Sequence, residues 1–143
     1  SAVFADSARA ATPAQEAAVV DYAGQDSAEA VENQVRELSK KMPAFIMLAS
    51  RTCGYCYALA ESFEKASREL SIPIKVLKVD VDEFPAIRSG LRFRRVTPDT
   101  RAYENGVQKY GFVGAAPYEN VVAGIKEMSV VIRRNGAGAK PAP

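Results

Sequence analysis

The sequence contains no histidine at all. Without an imidazole there is no His general base, no Ser-His or Cys-His nucleophile pair, and no His-ligated zinc or haem. Cysteine is almost missing too: Cys53 and Cys56 are the only two, and one chain needs four ligands to close a tetrahedral zinc site. Tyr57 follows the second cysteine, which excludes the C-x-x-C-H pattern of haem attachment. No metal and no cofactor are therefore expected. Charge of one sign is also lacking. The 19 basic and 17 acidic side chains leave a net charge of +2, too little to imply nucleic acid or an anionic membrane as the main partner. No apolar run approaches the roughly 18 residues that a membrane span requires.

What is present fits one globular domain: 143 residues, 48% apolar and 25% charged, can bury a sizeable core. Residues 1–17 are Ala-rich and without sustained periodicity, and are read as a flexible lead-in; residues 134–143 read as a disordered, low-complexity tail. Within the lead-in, Val3-Phe4-Ala5 has the small-residue form of a signal-peptidase site, which predicts an export signal trimmed upstream and a periplasmic or otherwise exported protein. Between the ends, residues 18–22 predict a short strand. Asp26-Ser27-Ala28-Glu29 has the form of a capping box opening a helix to about Lys41. The continuous apolar run AFIMLA at 44–49 predicts a central strand buried on both faces. Leu59, Phe63, Ala66 and Leu70 form one face of a helix that follows the cysteines, and Ile74 to Val81 reads as a second buried strand. A short helix, Phe84 to Ser89, ends at Gly90. Two strands then flank Asn105-Gly106, a hairpin signal, and Pro117 opens a last helix with a stripe of Val121, Val122, Ile125, Met128 and Ile132. The order β-α-β-α-β-α-β-β-α implies an α/β fold, a mixed sheet with helices on both faces.

Chemistry concentrates at Cys53-Gly54-Tyr55-Cys56. Two cysteines placed after a buried strand, in the first turn of a helix, lie where free backbone N–H groups and the helix dipole stabilise a thiolate. Cys53, exposed at the turn, is the expected attacking thiol. Cys56, one turn on and shielded, is the expected resolving thiol. The competing readings are a structural disulfide, a pair of packed inert thiols, and a zinc or iron-sulfur site shared by two chains.

The chain resembles the thioredoxin-like family over about residues 18–133. Besides Cys53-Gly54-Tyr55-Cys56, the family's cis-proline is matched by Thr97-Pro98, its hairpin glycine by Gly106 and its late strand-end glycine by Gly114. The Cys-Gly-Tyr-Cys string together with Thr-Pro is most similar to the exported bacterial disulfide isomerases and their relatives. The resemblance implies that Pro98 sits beside the two sulfurs and that Thr97 presents its backbone to an extended partner segment, with Gly54 and Tyr55 completing the partner-binding surface. An ordinary proline opening a strand is the plainer account of Pro98.

Three departures stand out. Met47 occupies the place of the family's buried aspartate, while the neighbouring lysine is kept as Lys78. The dimerisation domain and helical insertion of the isomerases are missing from this sequence. The strand after Pro98, Asp99-Thr100-Arg101-Ala102-Tyr103, is unusually polar, which favours a solvated or bent strand with Arg101 reaching outward over an Arg101 buried against Asp99 or Asp80. Arg92, Arg94 and Arg95, joined by Arg51, form a basic cluster expected either to be plain solvated surface or to steer acidic partners toward Cys53. Together these features predict a monomeric thiol-disulfide oxidoreductase that acts on protein thiols and disulfides and exchanges electrons with an unidentified redox partner. A disulfide isomerase and a binding module with an inert cysteine pair are the alternatives.

Overall fold

The computed structural model describes residues 16–138. The rest of the expected lead-in and residues 139–143 lie outside them. Among the described residues, five strands and four helices follow the predicted order. They are β1 (Val19–Asp21), α1 (Ala28–Leu38), β2 (Ala44–Ala49), α2 (Gly54–Leu70), β3 (Lys75–Asp80), α3 (Pro85–Gly90), β4 (Asp99–Glu104), β5 (Val107–Val113) and α4 (Tyr118–Gly138).

The sheet order is β1-β3-β2-β4-β5, with β1, β3 and β2 parallel and β4 and β5 antiparallel to their neighbours. β2 is central and every residue of it is buried. The period-2 alternation of its side chains feeds two cores. Phe45 and Met47 point to α2 and α4, where they join Leu59, Phe63, Ala66, Ile125 and Met128. Ala44, Ile46 and Leu48 point to α1 and α3, meeting Val31, Val35, Ile87 and Leu91. A strand buried on both sides cannot carry a polar residue cheaply, which is why this stretch is a continuous apolar run.

Local details depart from expectation at three places. The cap of α1 is Ser27, whose hydroxyl accepts from the Ala30 N–H at 3.1 Å. Asp26 instead receives the Tyr22 hydroxyl at 3.2 Å and donates its own N–H to that oxygen at 2.7 Å. The helix stops at Leu38 rather than Lys41, because the Ser39 hydroxyl bonds back to the Arg36 carbonyl at 2.6 Å and receives the Gly106 N–H at 2.8 Å. At the other end of the chain, α4 continues to Gly138, so residues 134–138, expected in the tail, are helical.

The polar strand β4 is the main correction. All six of its residues are buried, Arg101 included, at 8% exposure. Arg101 does not reach outward. Its guanidinium bonds both oxygens of Asp99, at 3.2 and 2.9 Å, and the Leu91 carbonyl at 2.6 Å. A carboxylate two residues along lies on the same face of a strand, so this pair neutralises itself within one element and can be buried where a lone arginine cannot.

Candidate functional site

The cysteines sit where β2 hands over to α2. Cys53 is the N-cap of α2, with extended backbone, and its Sγ accepts the Cys56 N–H at 3.1 Å. The two residues are disulfide-bonded, with Cα atoms 5.3 Å apart. Cys56 is fully buried and Cys53 only partly so, whereas Gly54 and Tyr55 are exposed, Tyr55 at 67%. The N-cap position places the sulfur of Cys53 among N–H groups that no helical carbonyl satisfies. One sulfur is therefore reachable from solvent and the other shielded behind it.

β4 delivers the second half of the site. The antiparallel register pairs Leu48 with Asp99, so the start of β4 lies at the same end of the sheet as the exit of β2 toward Cys53. The Thr97-Pro98 peptide is cis, and the Pro98 carbonyl accepts the Gly114 N–H at 2.8 Å. Gly114 has φ +82°, a conformation that suits glycine, and Gly106 in the hairpin has φ +89°. Thr97 is partly exposed, Pro98 is buried and Val96 is 48% exposed.

In β2, Met47 is fully buried and register-paired with Lys78 on β3 and Thr100 on β4. The Thr100 hydroxyl is buried and has no hydrogen-bond partner. With a thioether in place of a carboxylate, Lys78 turns elsewhere. Its Nζ lies 4.6 Å from the centre of the Tyr57 ring and 4.0 Å from an Asp21 carboxylate oxygen. Lys78 lines a cavity of about 420 Å³ at the carboxyl ends of β1, β3 and β2, together with Arg51, Asp80 and Glu83.

The basic cluster divides into distinct roles. Arg51 is held by Asp80 at 3.2 Å and Glu83 at 3.4 Å. Arg94 is not a free surface charge: its guanidinium bonds Asp99 at 2.6 and 3.1 Å, and its N–H bonds the same carboxylate at 3.0 Å. Burial by itself would raise the Asp99 carboxyl, but the hydrogen bonds from Arg101 and Arg94 outweigh it and hold the group below its ordinary range. Arg92 and Arg95 make no ion pair among the described residues, and both have positive φ, +55° and +66°. The Asp99 network beside Pro98 is the feature that sequence reasoning weighted wrongly. Its signal was the same-face Asp99-x-Arg101 spacing.

No group of three or more potential ligands among the described residues could hold a metal ion. Among the described residues, no helix is long and apolar enough to cross a membrane.

A thioredoxin family model matches residues 18–127. The chain is 32% identical over 77 residues to thioredoxin from Rickettsia felis, a match covering 54% of this chain and 72% of that protein. It is 27% identical over 90 residues to the chloroplastic M-type thioredoxin of Spinacia oleracea, covering 63% of this chain and 49% of the relative. The match thus spans about half the length of the spinach protein. Among solved structures, thioredoxin NaTrxh from Nicotiana alata superposes with a TM-score of 0.61 at 17% identity, covering 78% of this chain and 93% of that one. Thioredoxin O2 from Arabidopsis thaliana in its oxidised state gives 0.59 at 18% identity, covering 78% and 95%. With a family match across most of the chain, a shared fold and a disulfide-bonded cysteine pair at a helix start, the chain belongs to the thioredoxin family.

Proposed function

We propose that the protein exchanges disulfides with protein partners through Cys53 and Cys56. The observation that carries this reading is the asymmetry of the pair: a partly exposed cysteine at the N-cap and a second, fully buried cysteine one turn later. In the reduced protein the Cys53 thiolate attacks a partner disulfide. A new S–S bond forms between Cys53 and the partner, the partner's own S–S bond breaks, and one partner thiolate leaves. Cys56 gives up its proton, attacks the Cys53 sulfur, forms the intramolecular disulfide and expels the second partner thiolate. The partner gains two electrons and the protein loses them, so an external dithiol reductant must restore the starting state. Cys56 needs no residue from elsewhere to reach Cys53, because the α2 turn already holds the two residues within bonding range.

Thr97, Pro98, Gly54 and Tyr55 are proposed to form the docking surface, with an extended partner segment pairing to the Thr97 backbone. The reading extends to an exported compartment, supported by the Val3-Phe4-Ala5 pattern and tested by cell fractionation.

The defining experiment uses two variants. Cys53→Ser is expected to abolish exchange, and Cys56→Ser to trap partners as mixed disulfides, because only the resolving step is lost. Equal trapping by both variants overturns the assignment of roles. A pair that resists dithiothreitol and alkylation alike identifies an inert staple instead.

A further inference from the structure

We propose that the segment Arg92–Val96 is a specificity loop that favours disulfide partners carrying acidic residues beside their cysteines. The proposal rests on the disulfide-exchange reading above and adds the class of substrate. From Arg88 to Pro98 the chain holds four arginines and no carboxylate. Two of the four are engaged: Arg88 lies 5.4 Å from the centre of the Phe93 ring, and Arg94 is bonded to Asp99. Arg92 and Arg95 are exposed and make no ion pair among the described residues, so their charge faces outward uncompensated.

A solvated surface run would need no special support, but this loop has it. Both free arginines adopt left-handed backbone, which is unfavourable for any residue that carries a Cβ. The cost is offset from beneath. Arg101, rooted in the sheet, donates to the Leu91 carbonyl at 2.6 Å and to the Arg92 carbonyl at 3.4 Å, while Asp99 accepts the Arg94 N–H at 3.0 Å. Asp99 is thus the fixed post to which the loop is tied, one residue after Pro98. The loop leads directly into Val96 and Thr97, so the two free charges stand beside the backbone where a partner segment would dock. Guanidinium groups held in place pair well with carboxylates on such a segment and raise the rate of encounter, more so at low salt.

The test compares two synthetic peptides, each with one disulfide, that differ only in two Glu or two Gln beside a cysteine. The neutral small disulfide 4,4′-dithiodipyridine serves as a control for the chemistry of Cys53. Full-length reduced protein is expected to reduce the acidic peptide about five-fold faster than the neutral one at low ionic strength, with the preference fading near 0.5 M salt. The Arg92→Gln, Arg95→Gln variant is expected to lose that preference while keeping its rates on the neutral peptide and on the dipyridyl disulfide. The Arg92→Lys, Arg95→Lys variant, which keeps the charge, is expected to retain most of it. Equal rates on the two peptides by the unaltered protein, or a preference that survives neutralisation, or equal slowing on all three substrates, overturns the specificity loop and leaves disulfide exchange standing. Reduction of neither peptide overturns both readings.

Discussion

Replacing Asp99 by alanine removes the acceptor of five hydrogen bonds, three from Arg94 and two from Arg101. The two arginines respond differently. The Arg94 side chain is 46% exposed and recovers water, so its lost pair contributes little. The Arg101 side chain is only 10% exposed and keeps just the Leu91 and Arg92 carbonyls. Leaving a buried charge without its counter-ion costs about 3 to 5 kcal/mol, which for a domain of this size lowers Tm by about 10 to 20 °C. The effect has a defined pH dependence. Because the Arg101 and Arg94 hydrogen bonds hold the folded-state pKa of Asp99 below its ordinary, unfolded value, its contribution is complete above that ordinary value and disappears as pH falls through the lower folded one. Urea titrations of the two proteins should therefore differ by a constant amount from neutral pH down to about pH 4, and converge below it. The companion variant Asp99→Leu with Arg101→Met removes the charge with its partner. It should recover most of the stability but leave the carbonyls of Leu91 and Arg92 untied, so trypsin should cut at Arg92 and Arg95 sooner than in the unaltered protein. A loss under 1 kcal/mol for Asp99→Ala would refute the idea that Arg101 depends on this carboxylate.

Met47→Asp should place a carboxylate beside Lys78 and the unpartnered Thr100 hydroxyl, giving Cys56 a nearby base; turnover of a protein disulfide at pH 7 should rise, at a cost of a few kcal/mol in stability. Unchanged turnover in a folded variant would show that another group already takes the Cys56 proton. Tyr103→Phe removes the bond from the buried Tyr103 hydroxyl to Glu32, 2.6 Å long, and should cost about 1.5 to 3 kcal/mol in chemical unfolding while leaving exchange rates intact.

How legible this protein was in its sequence depended on whether a segment's character came from its own residues or from a neighbour. The run at 44–49 is apolar throughout because both of its faces are covered, and no other environment suits it. The stripe on α4 and the Asn105-Gly106 turn are likewise local patterns, and all three appear where they were expected. β4 is different. Asp99 and Arg101 read as surface by their polarity, yet the strand lies between β2 and β5 and all of it is buried. Only the mutual neutralisation of Asp99 with two guanidinium groups makes that possible, and one of the two comes from a loop whose path the residues do not announce. The same holds for Lys78. Its position in β3 was readable, but its place over Tyr57 depends on how α2 lies across the sheet. At the α1 start two good capping residues stood side by side, and Tyr22 decided between them by engaging Asp26.

The pairing of Leu48 with Asp99 determines which molecule gives up freedom when a partner binds. The two halves of the site grow from neighbouring strands that are joined across five paired positions at the middle of the sheet, Ala44 with Tyr103 through Leu48 with Asp99. That ladder fixes the strands from which both halves leave the sheet, so this frame has little disorder left to lose on docking. The entropic cost of the encounter then falls almost wholly on the partner. A disulfide in an already extended, loosely held segment meets the site at small cost, whereas one locked in a packed interior must first be freed at the expense of its own fold. On the proposed docking surface, discrimination between accessible and protected disulfides is in that sense a property of the sheet, present before any side chain at the surface is considered.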